Sequence, residues 1–144
     1  MSQFIKAAVS KPGEGELIKA FGSNLVRIGS PSTNGALSIL EVTLLPGDGT
    51  PLHVHEREDE TFRVLEGRMA FWCGEEHFEL QENGVAVLPR GIPHRIECIG
   101  QSPCTVMVIL TPGGFEAFFA AAAKDPASDP AELAASYGVR FLPV

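Results

Sequence analysis

Short runs of alternating apolar and polar residues, separated by turn residues, make up most of the chain. Successive side chains of an extended strand point to opposite faces, so this alternation predicts strands with one buried face. β-Branched and aromatic residues are frequent in the runs, and glycine, proline and asparagine separate them. The predicted strands are residues 16–21, 24–29, 36–44, 52–55, 61–65, 69–73, 77–80, 85–88, 94–99 and 105–111. Many short strands at this spacing indicate an antiparallel barrel or sandwich.

The pattern becomes helical in residues 115–124. Phe115, Phe118, Phe119 and Ala122 follow i, i+3, i+4, i+7 spacing, which predicts a helix with one apolar face. That face should dock against the strands. We therefore interpret the phenylalanine stripe as core packing rather than as a ligand-binding surface.

A second short helix is predicted over residues 130–137. Asp129 is suited to be its N-cap and Pro130 to be its first residue, and Gly138 follows its end. Leu133 and Tyr137 give this helix an apolar edge. The tail of the chain should therefore be helical, in contrast to the strands before it.

Three histidines and one glutamate form a candidate metal site. His53 and His55 alternate with one residue between them, so on a strand they project from the same face. Residues 56–59 should turn the chain and bring Glu60 back on a neighbouring strand. His94 is distant in sequence, and a closed or sandwiched β architecture would place it beside the other ligands.

Length and charge limit the domain organisation and the partners. A chain of 144 residues with 44% hydrophobic residues suits one domain over residues 1–144. The formal net charge of −7 disfavours a nucleic acid or an anionic membrane as partner. We expect a small-molecule substrate instead.

The N-terminal residues and the cysteines predict a cytoplasmic location. The first twenty residues contain charged side chains and no continuous apolar stretch, so neither a secretion signal nor a membrane anchor is visible. Cys73, Cys98 and Cys104 are odd in number and lack the close spacing of a zinc ribbon or redox motif. This favours a reducing compartment.

The spacing of Gly47, His53, His55, Glu60 and Gly67 resembles the first sequence motif of the cupin superfamily. Each defining position of that motif is matched. The resemblance covers roughly residues 35–111.

The second cupin motif is similar in residues 89–94, which contain its proline, glycine and histidine. Asn83 stands where that motif has a glycine, which is displaced here to Gly84, and Cys98 replaces its usual asparagine. These departures concern a turn and the far wall of the pocket, and they leave the ligand positions intact.

The resemblance implies an all-β fold, a double-stranded β-helix or jelly-roll, with one metal ion near its axis. The barrel core would span about residues 35–111 and the short C-terminal α-helices residues 113–144. In many cupins segments before the barrel pair across a dimer. The N-terminal strands before Ser30 therefore suggest a homodimer.

Flanking residues resemble single-domain cupins grouped with quercetin 2,3-dioxygenases. The similar segments are residues 58–67, 88–94 and 111–119. This resemblance implies a dioxygenase acting on an aromatic or enolisable substrate, with Glu60 as metal ligand and catalytic base. A non-catalytic ligand-binding module and a metal-assisted isomerase or decarboxylase are the alternatives.

The donor set also limits the metal. Three neutral imidazoles and one carboxylate suit one divalent transition metal ion, which could be Fe, Ni, Mn, Co, Cu or Zn, whereas Ca²⁺ and Mg²⁺ favour oxygen-rich sites. Four protein ligands would leave coordination positions open for a substrate.

Strand alternation also predicts the substrate pocket. Phe62 and Val64 share a face with Glu60, and Ile96 and Cys98 share a face with His94. We expect the pocket to be lined also by some of four further apolar residues, which are Met69, Phe71, Met107 and Ile109. Such a wall favours an apolar substrate. We expect Cys98 to be a buried, inert thiol, since no nearby residue would activate it.

The remaining polar residues near the motifs are assigned to the surface. His77 has acidic neighbours and no motif partner. Glu56, Glu58 and Asp59 are interpreted as a solvated acidic turn, with the alternative that one of them orients a ligand histidine.

Overall fold

The computed structural model describes residues 6–143. Within these residues the chain forms eleven β-strands, two α-helices and one 3-10 turn at Ser30–Thr33. The strands are β1 (Glu16–Lys19), β2 (Ser23–Ile28), β3 (Ser38–Leu44), β4 (His53–His55), β5 (Asp59–Glu66), β6 (Met69–Cys73), β7 (Glu76–Leu80), β8 (Val85–Leu88), β9 (His94–Cys98), β10 (Cys104–Thr111) and β11 (Val139–Phe141). The helices are α1 (Glu116–Lys124) and α2 (Pro130–Ser136).

The strands form two antiparallel sheets that enclose one core. The six-stranded sheet has the order β1-β2-β3-β10-β5-β8, and the five-stranded sheet has the order β11-β4-β9-β6-β7. Strands distant in sequence thus become neighbours, as β10 does with both β3 and β5. This architecture confirms the predicted double-stranded β-helix.

Alternation along β10 shows how the sequence fills the core. Val106, Val108 and Leu110 are buried on the inner face. Met107 and Ile109 lie on the opposite face of the strand and are only half-buried. Neither they nor Met69 and Phe71 line the cavity of the barrel, so the expectation that some of these four residues line the pocket is wrong.

The N-terminal strands extend the larger sheet within the same chain. β1 pairs with β2, and β2 pairs with β3 in antiparallel register. Asn24 and Val42 face each other across the β2–β3 pair. Pairing of such strands across a dimer stays a prediction.

The tail packs its helices against the barrel. Phe118 and Ala122 are the buried residues of α1, as the helical spacing predicts. The Asp129 side chain accepts a hydrogen bond from the Ala131 amide and so caps α2. No helix of residues 6–143 has both the length and the apolar character that membrane crossing requires.

The strand β11 was absent from the predictions. It comprises only three residues after the second helix, and it pairs with β4, more than eighty residues earlier in the chain. Val139 is opposite His55 and Phe141 is opposite His53. The tail therefore supports the strand that carries two of the candidate ligands.

Candidate metal centre

The two histidines of β4 point into the barrel beside a third. His53 and His55 are both buried, and β4 lies between β11 and β9 in the smaller sheet. His53 is in register with His94, the first residue of β9, and their ring centroids are 4.4 Å apart. The closed fold thus brings together histidines separated by about forty residues of sequence.

Glu60 reaches the histidines from the opposite sheet. The chain leaves β4 after His55, crosses between the sheets and enters β5, which belongs to the six-stranded sheet. The expectation that Glu60 returns on a neighbouring strand is therefore wrong in this detail. Residues of β5 alternate between the buried and the outer face of the sheet, and Glu60 lies on the buried face. Its carboxylate therefore faces the histidines across the barrel.

The four side chains form one compact cluster. Glu60 Oε1 lies 2.8 Å from His55 Nε2 and 3.1 Å from His94 Nε2. Taken with His53, the candidate ligand atoms all lie within 4.8 Å of one another. Adjacent ligands about 2.1 Å from one ion would be about 3 Å apart. The spacing is therefore that of ligands around a shared centre.

Buried polar atoms without hydrogen-bond partners also indicate a metal site. Glu60 Oε1 and His94 Nδ1 are buried, and among residues 6–143 neither has a hydrogen-bond partner. The contacts of Oε1 with the two histidines are thus close but lack hydrogen-bond alignment. Leaving a buried carboxylate oxygen unpaired is costly. The residues therefore fit a divalent transition metal ion, which would satisfy the oxygen.

Neighbouring groups fix the orientation of two imidazoles. His55 Nδ1 is 2.9 Å from Glu58 Oε1, and His53 Nδ1 is 2.7 Å from the Pro51 carbonyl oxygen. These contacts hold the two Nδ1 atoms away from the cluster and leave each Nε2 atom available to bind a metal ion, as metal-binding histidines require.

Glu58 differs from the other acidic residues of its turn. It is buried, so its interpretation as a solvated residue is wrong, and the alternative of an orienting carboxylate is confirmed. Glu56 instead pairs with Arg140, and Asp59 pairs with Arg90 at the surface. The sequence signal for this orienting role is an acidic residue, Glu58, three positions after the candidate ligand His55.

Comparison with known proteins gives the barrel its family. Residues 40–110 match the family model described as the cupin domain. The barrel is a cupin domain. Its ligands come from the positions at which the sequence resembles the two cupin motifs.

Several known proteins are similar to this one. The tetracenomycin polyketide synthase protein TcmJ of Streptomyces glaucescens is 29% identical over 85 residues, 58% of this chain and 57% of that protein. The chain spans 56% and 57% of the lengths of the curated relatives it matches.

Two solved structures share the cupin fold. KdgF from Halomonas sp. has a TM-score of 0.68 and 16% identity, covering 78% of this chain and 99% of that one. The polyketide cyclase RemF from Streptomyces resistomycificus has a TM-score of 0.63 and 19% identity, covering 74% of this chain and 80% of that one. At these identities the likeness concerns the fold alone.

Burial and mutual charge shift the pKa values of the candidate ligands. Burial and the neighbouring His94 lower the pKa of His53 to about 4. Burial also lowers the pKa of His55, but the Glu60 and Glu58 carboxylates outweigh it and raise that pKa to about 9. Burial raises the pKa of Glu60, yet the charge and contacts of His55 and His94 hold it well below its usual range. Without an ion, Glu60 is therefore ionised at neutral pH.

The cluster lies in the wall of an apolar cavity of about 260 Å³. Phe62 and Ile96 line this cavity, as predicted. Val64 and Cys98 do not line it, so their assignment to the substrate pocket is wrong. Each lies four residues beyond a ligand on its strand, which places it about 13 Å further along the barrel.

Cys98 belongs to the packed core. It is fully buried beside Met69, its register partner on β6. Burial and the neighbouring Cys104 raise the pKa of its thiol to about 12. The thiol is therefore protonated at neutral pH, which agrees with the expected inert cysteine.

The tail contributes cavity residues that the sequence patterns did not identify. Phe115, Phe118 and Phe119 line the cavity in addition to packing in the core. The Phe115 ring lies edge-on to His55 at 4.8 Å between centroids. The interpretation of the stripe as core packing was therefore incomplete. Its position after the last barrel strand is the one sequence signal for this second role.

Proposed function

We propose that this cupin domain is a metal-dependent enzyme, a dioxygenase of the quercetinase-like type that acts on an aromatic or enolisable small molecule. One observation carries the proposal. The buried cluster of His53, His55, Glu60 and His94 opens into a cavity whose other walls are mostly apolar. A site with a few convergent polar groups in an apolar cavity is typical of small-molecule binding.

The cavity favours a flat, apolar substrate. Its volume of about 260 Å³ lies just below the roughly 300–1,000 Å³ typical of drug-sized ligands. Phe62 and Phe115 provide aromatic walls near the ligands. Aromatic rings pack favourably against such walls, and the apolar surface excludes water from the reacting atoms.

The ligands define the chemistry available in the cavity. A divalent ion held by these residues would polarise a substrate hydroxyl and favour its ionised form. We assign Glu60 a second role as the group that accepts the hydroxyl proton at a carboxylate oxygen. Glu58 keeps His55 oriented meanwhile.

The similarity to a named polyketide protein adds support for the substrate class. TcmJ is described as a tetracenomycin polyketide synthase protein. Polyketide chains carry ketones that enolise, so they present the same oxygen donors as flavonols. This support concerns the kind of substrate rather than the reaction.

Oxygen consumption tests the proposal directly. Purified protein is loaded separately with Fe, Ni, Mn or Co and mixed with flavonols and simpler enols. We expect substrate-dependent oxygen uptake with at least one metal, and its loss in Glu60→Ala. The control is His77→Ala, because His77 is exposed and outside the cluster. An absence of uptake across all metals and substrates would remove the dioxygenase proposal.

The same substrates distinguish the other reactions of this site. Conversion under anaerobic conditions would indicate an isomerase, a decarboxylase or a cyclase. Thermal stabilisation by a substrate without any conversion would indicate a ligand-binding module, because a ligand that binds only the folded state raises its stability.

A further inference from the structure

The cavity opens to solvent beside the turn between β1 and β2. Residues that both line the cavity and are exposed mark where it opens, and these are Phe21, Gly49, Pro51 and Pro130. Phe21 has the largest side chain among them and is 56% exposed. A molecule that enters the cavity at this turn therefore comes into contact with the Phe21 ring.

A continuous aromatic wall leads from this opening to the candidate metal centre. Phe21 is stacked on Phe118 with 5.6 Å between ring centroids, and Phe118 is stacked on Phe115 with 5.1 Å between centroids. The Phe115 ring in turn lies 4.8 Å from the ring of His55. All four side chains line the cavity. The opening at Phe21 and the candidate ligands thus belong to one cavity.

Phe21 has an unfavourable backbone conformation. Its φ is 54°, which lies in the left-handed region. Among residues 6–143, the other non-glycine residues with a positive φ are Asn34 and Asn83, and asparagine tolerates this conformation better than most residues. A bulky aromatic residue seldom adopts it, because its Cβ atom crowds the backbone. Phenylalanine at this position therefore strains the turn.

The turn is held by groups other than the Phe21 ring. Asn24 is 1% exposed, and its Nδ2 donates hydrogen bonds to the carbonyl oxygens of Ile18, at 3.3 Å, and Ala20, at 2.9 Å. The Ala20 amide donates to the Gly22 carbonyl oxygen. A ring that is more than half exposed adds little buried apolar surface. Local stability thus gives little reason for phenylalanine here, and strained residues occur often at ligand-binding sites.

We propose that Phe21 is a substrate-binding residue at the entrance of the cavity, where its ring contacts an aromatic small molecule. The inference rests on the function proposed above, which supplies the aromatic substrate. Pairs of aromatic rings attract each other beyond the effect of the apolar surface that they bury. The contact requires no metal ion, because Phe21 lies at the solvent end of the aromatic wall.

Binding of a neutral aromatic probe to the metal-free protein tests this role. The probe is N-phenyl-1-naphthylamine, whose fluorescence rises in apolar surroundings, and its affinity is measured by titration. Phe21→Asn should bind the probe about two- to tenfold more weakly than the wild type, which is the range for one aromatic pair. Phe21→Tyr keeps the ring and should bind the probe with wild-type affinity.

Leu17→Ala is the matched control. Leu17 lies on the same hairpin and is 55% exposed, but it does not line the cavity. This variant should bind the probe as the wild type does. Denaturant unfolding separates ligand contact from packing. The midpoint of Phe21→Asn should equal or exceed that of the wild type, because asparagine suits the left-handed backbone.

Several results would overturn the inference. Unchanged affinity in Phe21→Asn, or no binding to the wild type, would mean that the Phe21 ring does not contact an aromatic molecule at the entrance. An equal loss of affinity in Leu17→Ala would place the probe on the surface of the hairpin. A clearly lower midpoint for Phe21→Asn would assign the ring to packing against Phe118. These measurements involve neither metal nor oxygen, so oxygen uptake tests the proposed function separately.

Discussion

Glu58 acts at the scale of a single residue by deciding which nitrogen of His55 faces the cluster. Its carboxylate contacts Nδ1, and both side chains are almost fully buried. The Nε2 atom therefore points toward Glu60. Carboxylates in this position make a ligand histidine more basic and fix its ring.

Removing this carboxylate should weaken the metal site. Glu58→Ala should lower metal affinity by about 10–100-fold, the usual effect of losing a group that orients a ligand. Affinity is measured by competition with a chelator of known strength. Glu56→Ala is the control, since Glu56 pairs with Arg140 at the surface. Equal affinities in the two variants would show that Glu58 does not support the site.

His55 also predicts the pH dependence of metal binding. Its pKa of about 9 means that it is protonated in the ion-free protein at neutral pH, and an ion must displace that proton. Affinity should therefore rise with pH, by about tenfold per unit, and level off above about 9. His53 contributes nothing in this range because its pKa is about 4. Chelator competition across this range is the measurement, and a flat profile would contradict the prediction.

Sequence patterns predicted the candidate ligands, but they did not predict the buried polar contacts of Glu58 and Asn24. His53, His55 and Glu60 follow from a motif spacing, which depends only on local sequence. The burial of Glu58 depends on how residues 56–58 cross between the sheets, and the Asn24 contact depends on the β1–β2 turn. Such contacts arise from tertiary packing, for which the local pattern carries little signal.

At the scale of elements, the tail matters because β11 supports β4. Gly138 connects α2 to β11 with a φ of 77°, and its carbonyl oxygen accepts a hydrogen bond from the Glu56 amide. A Cβ atom at this position would lie 2.7 Å from Arg57 Nε. Arg57 is exposed and its side chain can move aside, so the position suits glycine chiefly for its backbone.

Gly138→Ala should thus destabilise the protein and the metal site together. Gly13→Ala is a matched control, because Gly13 has the same φ of 77° but open space around its Cβ position. The control should cost about 1 kcal/mol of unfolding free energy through backbone strain alone. Gly138→Ala should cost a similar amount and, unlike the control, should also lower metal affinity, because it strains the connection to β11, which pairs with β4. Metal affinity is measured by chelator competition, and equal affinities for the two variants would contradict this.

Element boundaries show what local sequence can predict. The predicted strand 69–73 coincides with β6, whereas β11 depends on a partner far away in the chain. Asn83 explains the altered motif position, since it adopts a φ of 70° and takes the left-handed conformation expected of glycine. Asparagine tolerates that conformation better than most residues.

At the scale of the whole molecule, one ion would connect the two sheets. His53, His55 and His94 belong to the smaller sheet and Glu60 to the larger one. The repeated short strands predicted an antiparallel barrel or sandwich, and the resemblance to the cupin motifs implied the jelly-roll. Strand alternation placed Val64 and Cys98 correctly on the buried face, but it carries no information on how far the cavity extends along the strands, so it wrongly assigned them to the pocket.

Metal content of purified, metal-loaded protein tests the central claim most directly. Elemental analysis by mass spectrometry should find one transition metal ion per chain in the wild type, since the four candidate ligands form one cluster. His77→Ala should retain that ion, because His77 lies outside the cluster. His53→Ala and His94→Ala should lose it while remaining folded. Full metal content in these last two variants, or none in the wild type, would contradict the account.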